Sequence, residues 1–224
     1  MQQFWIVQSI DEFAQEFRGR AEQLAKLPWR TVDFVTMYTA LKHDVLLSNV
    51  MEAVSEAWIF REEKCGCELR LNEEGFVPAT QAGSLSRDDL KQPLLHVLNH
   101  LYVRNGSALL RQVCGLPMGI EPAPQLANLA CYACEARFAR QKGPRWSGWI
   151  RRYIDDLFVV GEEWPSEEEY GMGYKVTSVD PSNLVYIGIR LYKDEKGEAH
   201  STLYDRALDY PVQIKRYPPP LLIP

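Results

Sequence analysis

The chain has 224 residues, an apolar fraction of 46%, a net charge of −5 and a pI near 5.5. That suffices for one domain, or one and a half, around a sizeable core. It excludes a transmembrane helix, because no run of 18 apolar residues occurs, and the acidic balance argues mildly against a nucleic-acid partner.

Met1-Gln-Gln-Phe-Trp-Ile-Val7 lacks the charged start and long apolar stretch of a signal peptide. An intracellular, reducing compartment is expected, with nucleus and cytoplasm both open. Ser9-Ile-Asp-Glu12 is a capping-box pattern that opens a helix reaching to about Leu27, ended by Pro28. Thr31 to Thr39 reads as a strand carrying Asp33. Asp44 caps a second helix with Val45, Leu46, Val50, Val54 and Trp58 at helical spacing. A hairpin is expected over 67–80, a helix over 87–104 and a strand over 107–113. A helix near Pro124 runs to about Arg140, with proline in its first turn. Strands are expected over 174–179, 184–191 and 200–204, and the tail from Tyr217 to Pro224 is Pro-rich and extended. Antiparallel hairpins mixed with helices give an α+β domain with helices on one face of an antiparallel sheet.

The segment Trp149-Ile-Arg-Arg-Tyr-Ile-Asp-Asp-Leu-Phe-Val-Val160 reads as strand, tight turn, strand, with adjacent carboxylates at the tip. Like charges crowded at a turn repel, and a hard divalent cation such as Mg²⁺ relieves that repulsion through oxygen ligands. An ordinary exposed turn, where Asp is common, is the competing reading. Two more segments bear on the choice: Thr31-Val-Asp-Phe-Val-Thr-Met-Tyr-Thr39, and the run from Arg111 to Leu129 containing Gln112, Gly115-Leu-Pro-Met-Gly119 and Pro124-Gln-Leu-Ala-Asn-Leu129.

Asp-bearing strand, Gly/Pro-rich loop opening a helix, then a Tyr-Ile-Asp-Asp hairpin: this order resembles the palm of reverse transcriptases, most closely the Penelope-like branch of retroelement enzymes. The resemblance covers about residues 30 to 218. It implies the polymerase palm fold, a ferredoxin-like antiparallel sheet with helices packed on one face. It implies an RNA-directed DNA polymerase that adds dNTPs to a primer 3′-hydroxyl on an RNA or DNA template. Asp33, Asp155 and Asp156 would be catalytic and would hold two Mg²⁺ ions, or Mn²⁺. Tyr38 would lie beneath the sugar of the incoming nucleotide. Gln112, Pro117, Met118, Gly119, Asn128 and Tyr153 would line the nucleotide site. Tyr204-Asp-Arg206 and Arg216-Tyr-Pro218 resemble downstream pieces of these relatives.

The family carries a fingers subdomain upstream, and here one amphipathic helix precedes Asp33. Fingers and thumb are expected to be largely missing, or supplied by another segment or a second chain. The expected division is an N-terminal helical segment at 1–29, the palm at 30–206 and a Pro-rich tail at 207–224. The competing function is a catalytically inactive, truncated or repurposed module that binds nucleic acid or protein.

From Arg137 to Arg152 the chain carries six cations and no acid, interleaved with Phe138, Trp146 and Trp149. These are ingredients of a nucleic-acid surface, with Arg145, Arg151 and Arg152 as its candidates. Cations at a solvated helix end are the equal alternative. Cys131 and Cys134 lie in a helix, where free cysteine acts as a small apolar residue rather than a zinc ligand. No membrane partner is expected.

Overall fold

The structure is a computed structural model that describes residues 5–73, 75–80, 83–117, 119–179 and 181–205. Its centre is a four-stranded antiparallel sheet. Strand β1 (Trp29–Phe34) lies between β7 (Asp156–Val160) and β8 (Tyr174–Ser178), and β6 (Trp149–Tyr153) pairs with the far side of β7. Side chains alternate across a strand, so Trp29 and Thr31 face one side while Val32 and Phe34 face the other. The same alternation sends Ile150, Leu157 and Val159 to the Val32 side and Trp149, Phe158 and Val160 to the Trp29 side.

One face is covered by α3 (His43–Cys65) and α5 (Ala123–Lys142), which pack on each other and on the sheet. The buried stripe of α5 is mostly small: Ala123, Ala127, Ala130, Cys131 and Cys134. Small residues let the helix approach closely, which leaves no room there for a bulkier side chain without strain. The helix starts at the prolines and stops at Gly143, whose φ of 70° suits glycine. A single turn, α2 (Met37–Ala40), leads from β1 toward α3.

The other face is covered by α1 (Ile10–Leu24) and by a three-stranded sheet of β9 (Leu184–Tyr186), β10 (Ile189–Lys193) and β11 (Ala199–Leu203). The Ser9 hydroxyl caps α1 by accepting from the Glu12 N–H at 3.1 Å. Phe13 and Phe17, both fully buried, meet Trp29, Trp149 and Phe158 at ring spacings of 5.5 to 6.4 Å. Aromatic pairs in such geometry add about 0.5–1.5 kcal/mol beyond area burial. The N-terminal helix is thus packed into the core that the sheet shares.

Several expectations are corrected in detail. The helix expected over 87–104 is a 3₁₀ turn at Asp88–Leu90 followed by α4 (Lys91–Asn99). Beyond it, β4 (Tyr102–Asn105) and β5 (Ala108–Arg111) form a hairpin. Its two-residue turn is Gly106-Ser107, closed by the Asn105–Ala108 pair, with Gly106 at φ 59°, and glycine in so short a loop favours a hairpin over helix. The strand expected over 184–191 is broken by a turn at Ile187-Gly188, both at positive φ. The Glu-rich stretch holds a short helix, α6 (Glu167–Tyr170), with a capping box between Ser166 and Glu169. The hairpin expected over 67–80 is present as β2 (Leu69–Asn72) and β3 (Gly75–Pro78). The tail from 206 onward lies outside the described residues. No helix among the described residues is long and apolar enough to cross a membrane.

Candidate active site

The sheet register brings the two Asp segments together. Asp33 on β1 is directly opposite Asp156 on β7, and Tyr153 on β6 is opposite Asp156 from the other side. Asp155 sits in the two-residue turn, and its carbonyl accepts from the Phe34 N–H at 3.1 Å, which ties the turn to β1. Burial and then the charge of Asp155 raise the Asp33 carboxyl above the usual range, with Lys175, its partner on β8, opposing. Lost hydration and the charges of Asp155 and Asp33 raise Asp156 in the same direction. Two carboxyls raised beside the charge of a third are a donor set suited to a hard divalent cation. They are gathered rather than closed: the donor atoms that converge within 4.8 Å among the described residues belong to Asp194, Glu198 and His200, at the β10–β11 turn.

The turn itself is strained. Ile154 has φ 55°, a conformation unfavourable for a β-branched side chain. Such a residue costs on the order of 1–3 kcal/mol and persists where its surroundings fix it. Arg152 does the fixing. Its Nη1 donates to the Ile154 carbonyl at 3.0 Å and to Asn128 Oδ1 at 2.6 Å, and its Nη2 donates to the Asn128 carbonyl at 3.2 Å. Its Nε pairs with Glu135 of α5. Burial works against the charge, but Glu135, with Cys131 and Tyr170 beside it, outweighs it and raises the guanidinium pKa. Tyr170 donates to the same carboxylate at 3.4 Å. One buried cation therefore joins the Tyr-Ile-Asp-Asp turn to the start and the middle of α5.

This corrects the sequence expectation for two of the three arginines. Arg152 is fully buried, and Arg151, 6% exposed, pairs with Glu16 of α1 and lies 4.8 Å from the Trp149 ring. Neither presents a free cation to a phosphate. Arg145 is exposed. The rest of the basic run is also answered internally: Arg137 by Glu52, Arg140 by Glu52 and Glu56, Lys142 by Glu163. Asn128 likewise serves Arg152, through both its side chain and its carbonyl.

The Gly/Pro-rich loop packs against the backbone that succeeds β1. The Gly115 N–H donates to the Leu41 carbonyl and the Leu116 N–H to the Tyr38 carbonyl at 2.6 Å. A Cβ on Gly115 would lie 2.4 Å from that Tyr38 oxygen, and φ is +79° there, so only glycine fits. Gly119 is different: it is exposed and nothing lies within 4 Å of the place of its Cβ. Gly115, rather than Gly119, is thus the glycine the local geometry demands. Pro117 accepts from the Ile120 N–H at 3.3 Å, closing a turn, and Gln112 Nε2 donates to the Cys114 carbonyl at 2.9 Å. Met118 lies outside the described residues.

Tyr38 is half-buried, and burial followed by the Asp155 charge raises its hydroxyl pKa. The two groups are therefore electrostatic neighbours. On the other side of the sheet end, Tyr153, Asp156, Thr31 and Tyr186 line a cavity of about 580 Å³. The Tyr186 hydroxyl donates to the carbonyl of Arg151 at 3.1 Å and of Asp156 at 3.4 Å, from β9. The sequence places Tyr186 in a strand that resembles the family's primer-positioning strand, with no role for its hydroxyl. Its role depends on contacts 30 and 35 residues away in sequence, for which local pattern holds no signal.

No family model matches the chain, and no curated protein matches it. Solved structures do. Apo telomerase from Candida Tropicalis superposes with a TM-score of 0.56 at 12% identity, over 84% of this chain and 35% of that one. The form truncated from its C-terminal domain gives 0.55 at 13% identity, over 84% and 39%. Telomerase from Candida albicans in complex with a TWJ fragment of telomeric RNA gives 0.52 at 12% identity, over 84% and 34%. This chain thus spans between 34% and 39% of the length of those proteins. Telomerase is a reverse-transcriptase-related enzyme, and the fold shared at this identity is a reverse-transcriptase-like, palm-like α+β domain.

Proposed function

We propose that this chain is the palm of an RNA-directed DNA polymerase of the retroelement, Penelope-like kind, which adds dNTPs to a primer 3′-hydroxyl. The observation that carries the reading is the register of Asp33 opposite Asp156, with Asp155 at the turn between β6 and β7. Asp33, Asp155 and Asp156 would hold divalent cations, Mg²⁺ or Mn²⁺, which when bound supply charge stabilisation for in-line displacement at a phosphate.

The chain's own residues orient and position. Tyr38, an electrostatic neighbour of Asp155, offers a ring face to the sugar of an incoming nucleotide. The loop of Gly115, Pro117, Met118 and Gly119 would present backbone to that nucleotide, held in place through Tyr38 and Leu41. Arg152 and Asn128 act through the turn rather than on substrate. Tyr153 and Tyr186 border the cavity on the side of Asp156, where a primer end would enter. Template, primer and dNTPs are the partners this reading requires.

A second reading, a non-catalytic module that binds nucleic acid or protein, is favoured by the aspartate oxygens not converging within 4.8 Å. Primer extension on an annealed RNA–DNA template-primer with Mg²⁺ and dNTPs separates the two. Extension that vanishes in a folded Asp155→Asn protein supports the polymerase. A well-folded wild-type chain that extends nothing supports the module.

A further inference from the structure

The basic run from Arg137 to Arg152 is largely paired inside the fold, so its phosphate-binding capacity is small. Another segment stands out by what it omits. From Lys91 to Ile120 there is no Asp or Glu, in a chain with 30 acids against 25 Lys and Arg. The β4–β5 hairpin projects from the middle of that segment, and every residue of both its strands is exposed.

Residues directly opposite in an antiparallel pair share a face, as do residues two apart along a strand. The register pairs Tyr102 with Arg111 and Arg104 with Leu109. One face of the ribbon therefore carries Tyr102, Arg104, Leu109 and Arg111. Tyr102 is 51% and Leu109 68% exposed, large values for such side chains. Neither guanidinium meets a carboxylate among the described residues; Arg104 Nε donates to the Gly106 carbonyl in its own turn. An apolar protein partner would leave these two cations unpaired on burial, which is costly. A strand of nucleic acid supplies phosphates for the cations and a base face for the ring.

The hairpin is not a loose appendage. The Gln112 N–H donates to the Leu101 carbonyl at 2.8 Å, extending its ladder, and Cys114 bridges to Lys42. The same strand then becomes the loop that rests on Tyr38. We propose that the Tyr102–Arg104–Leu109–Arg111 face of this hairpin binds single-stranded nucleic acid, with phosphates at the two arginines and a base stacked on Tyr102. The proposal deepens the polymerase reading by giving it a single-strand contact, yet binding itself needs none of the three aspartates.

The test is fluorescence anisotropy with a fluorescein-labelled 15-nucleotide oligo(dT) or oligo(rU), in EDTA, across a salt series. Wild type should bind at low salt and weaken as salt rises. Arg104→Ser/Arg111→Ser should lower the slope of log K against log salt by about 1.4, at about 0.7 per lost single-strand phosphate contact. It should also weaken low-salt affinity about tenfold or more. Tyr102→Ala should weaken affinity about 5- to 150-fold, the loss of one base–aromatic stack. Urea midpoints should not move, because these side chains are exposed. Wild type that binds neither oligonucleotide at low salt overturns the proposal. So does binding unaltered in both hairpin variants, and so does self-association through Tyr102 without oligonucleotide binding, seen by sedimentation. Failed extension with intact hairpin-dependent binding removes the polymerase reading alone. Extension by a protein whose binding ignores the hairpin removes this proposal alone.

Discussion

Arg152 on β6 and Glu135 on α5 form an ion pair with side chains 0% and 2% exposed. The pair lies beneath the Tyr-Ile-Asp-Asp turn, and the same guanidinium holds the carbonyl of strained Ile154. Breaking a buried pair leaves one charge stranded in low dielectric, at a cost of about 3–5 kcal/mol. Glu135→Gln is expected to lower the unfolding free energy by that amount in urea titration. Arg145→Ala, on the surface, should stay within about 0.5 kcal/mol of wild type.

The two glycines of the loop should part company. Alanine at 115 must take φ +79° with its Cβ 2.4 Å from the Tyr38 carbonyl oxygen. Strain of that kind costs on the order of 1–3 kcal/mol before any displacement of the chain around Tyr38. Gly119→Ala meets nothing within 4 Å and should be within about 0.5 kcal/mol of wild type. Urea midpoints of the two variants, measured side by side, check the contrast.

The aspartates predict a pH dependence of defined sign. The folded carboxyls of Asp33 and Asp156 are raised, chiefly by burial and then by neighbouring carboxylates. A raised folded pKa means that the folded state binds protons better than the unfolded chain. The associated stability is fully present below the unfolded carboxyl pKa, about 3.9, and is lost as pH rises through the folded values. Asp156→Asn should therefore be more stable than wild type at pH 7 in EDTA, with the gain shrinking as pH falls toward 4. Melting temperatures of both proteins from pH 3.5 to 7 decide it; a gain that grows on acidification would contradict the assignment.

Much of the fold and of the site was readable in the residues. The pairing of Asp33 with the second Asp of the hairpin comes from two β-branched, aromatic strands of opposite alternation, and the loop between them announces itself through Gly and Pro. For Arg151 and Arg152, charge pattern says nothing of burial: Glu135, which claims Arg152, is 17 residues away on another element. The helix expected to reach residue 104 stopped at Asn99 because the Gly106-Ser107 turn pairs β4 with β5, overriding helical spacing. The need for glycine at 115 comes from a carbonyl 77 positions earlier, at Tyr38.

Tyr186 offers a further check. Its hydroxyl satisfies carbonyls of Arg151 and Asp156 from across the core. Tyr186→Phe removes the donor and leaves the carbonyls to one fewer partner, at a cost of about 1–3 kcal/mol. The loss should appear in urea unfolding, and amide hydrogen exchange should quicken in 151–156 more than in α3.

The measurement closest to the central claim is a Mn²⁺ titration monitored by the electron paramagnetic resonance signal of the free ion. Wild type should remove free Mn²⁺ saturably, and Asp33→Asn and Asp156→Asn should each abolish or sharply weaken that binding, because the two residues sit opposite each other on β1 and β7. Asp194→Asn, in the separate carboxylate–imidazole cluster of Asp194, Glu198 and His200, should leave it in place. Binding that survives loss of Asp33 and Asp156 but disappears with Asp194 would contradict the account and move the metal site to the β10–β11 turn.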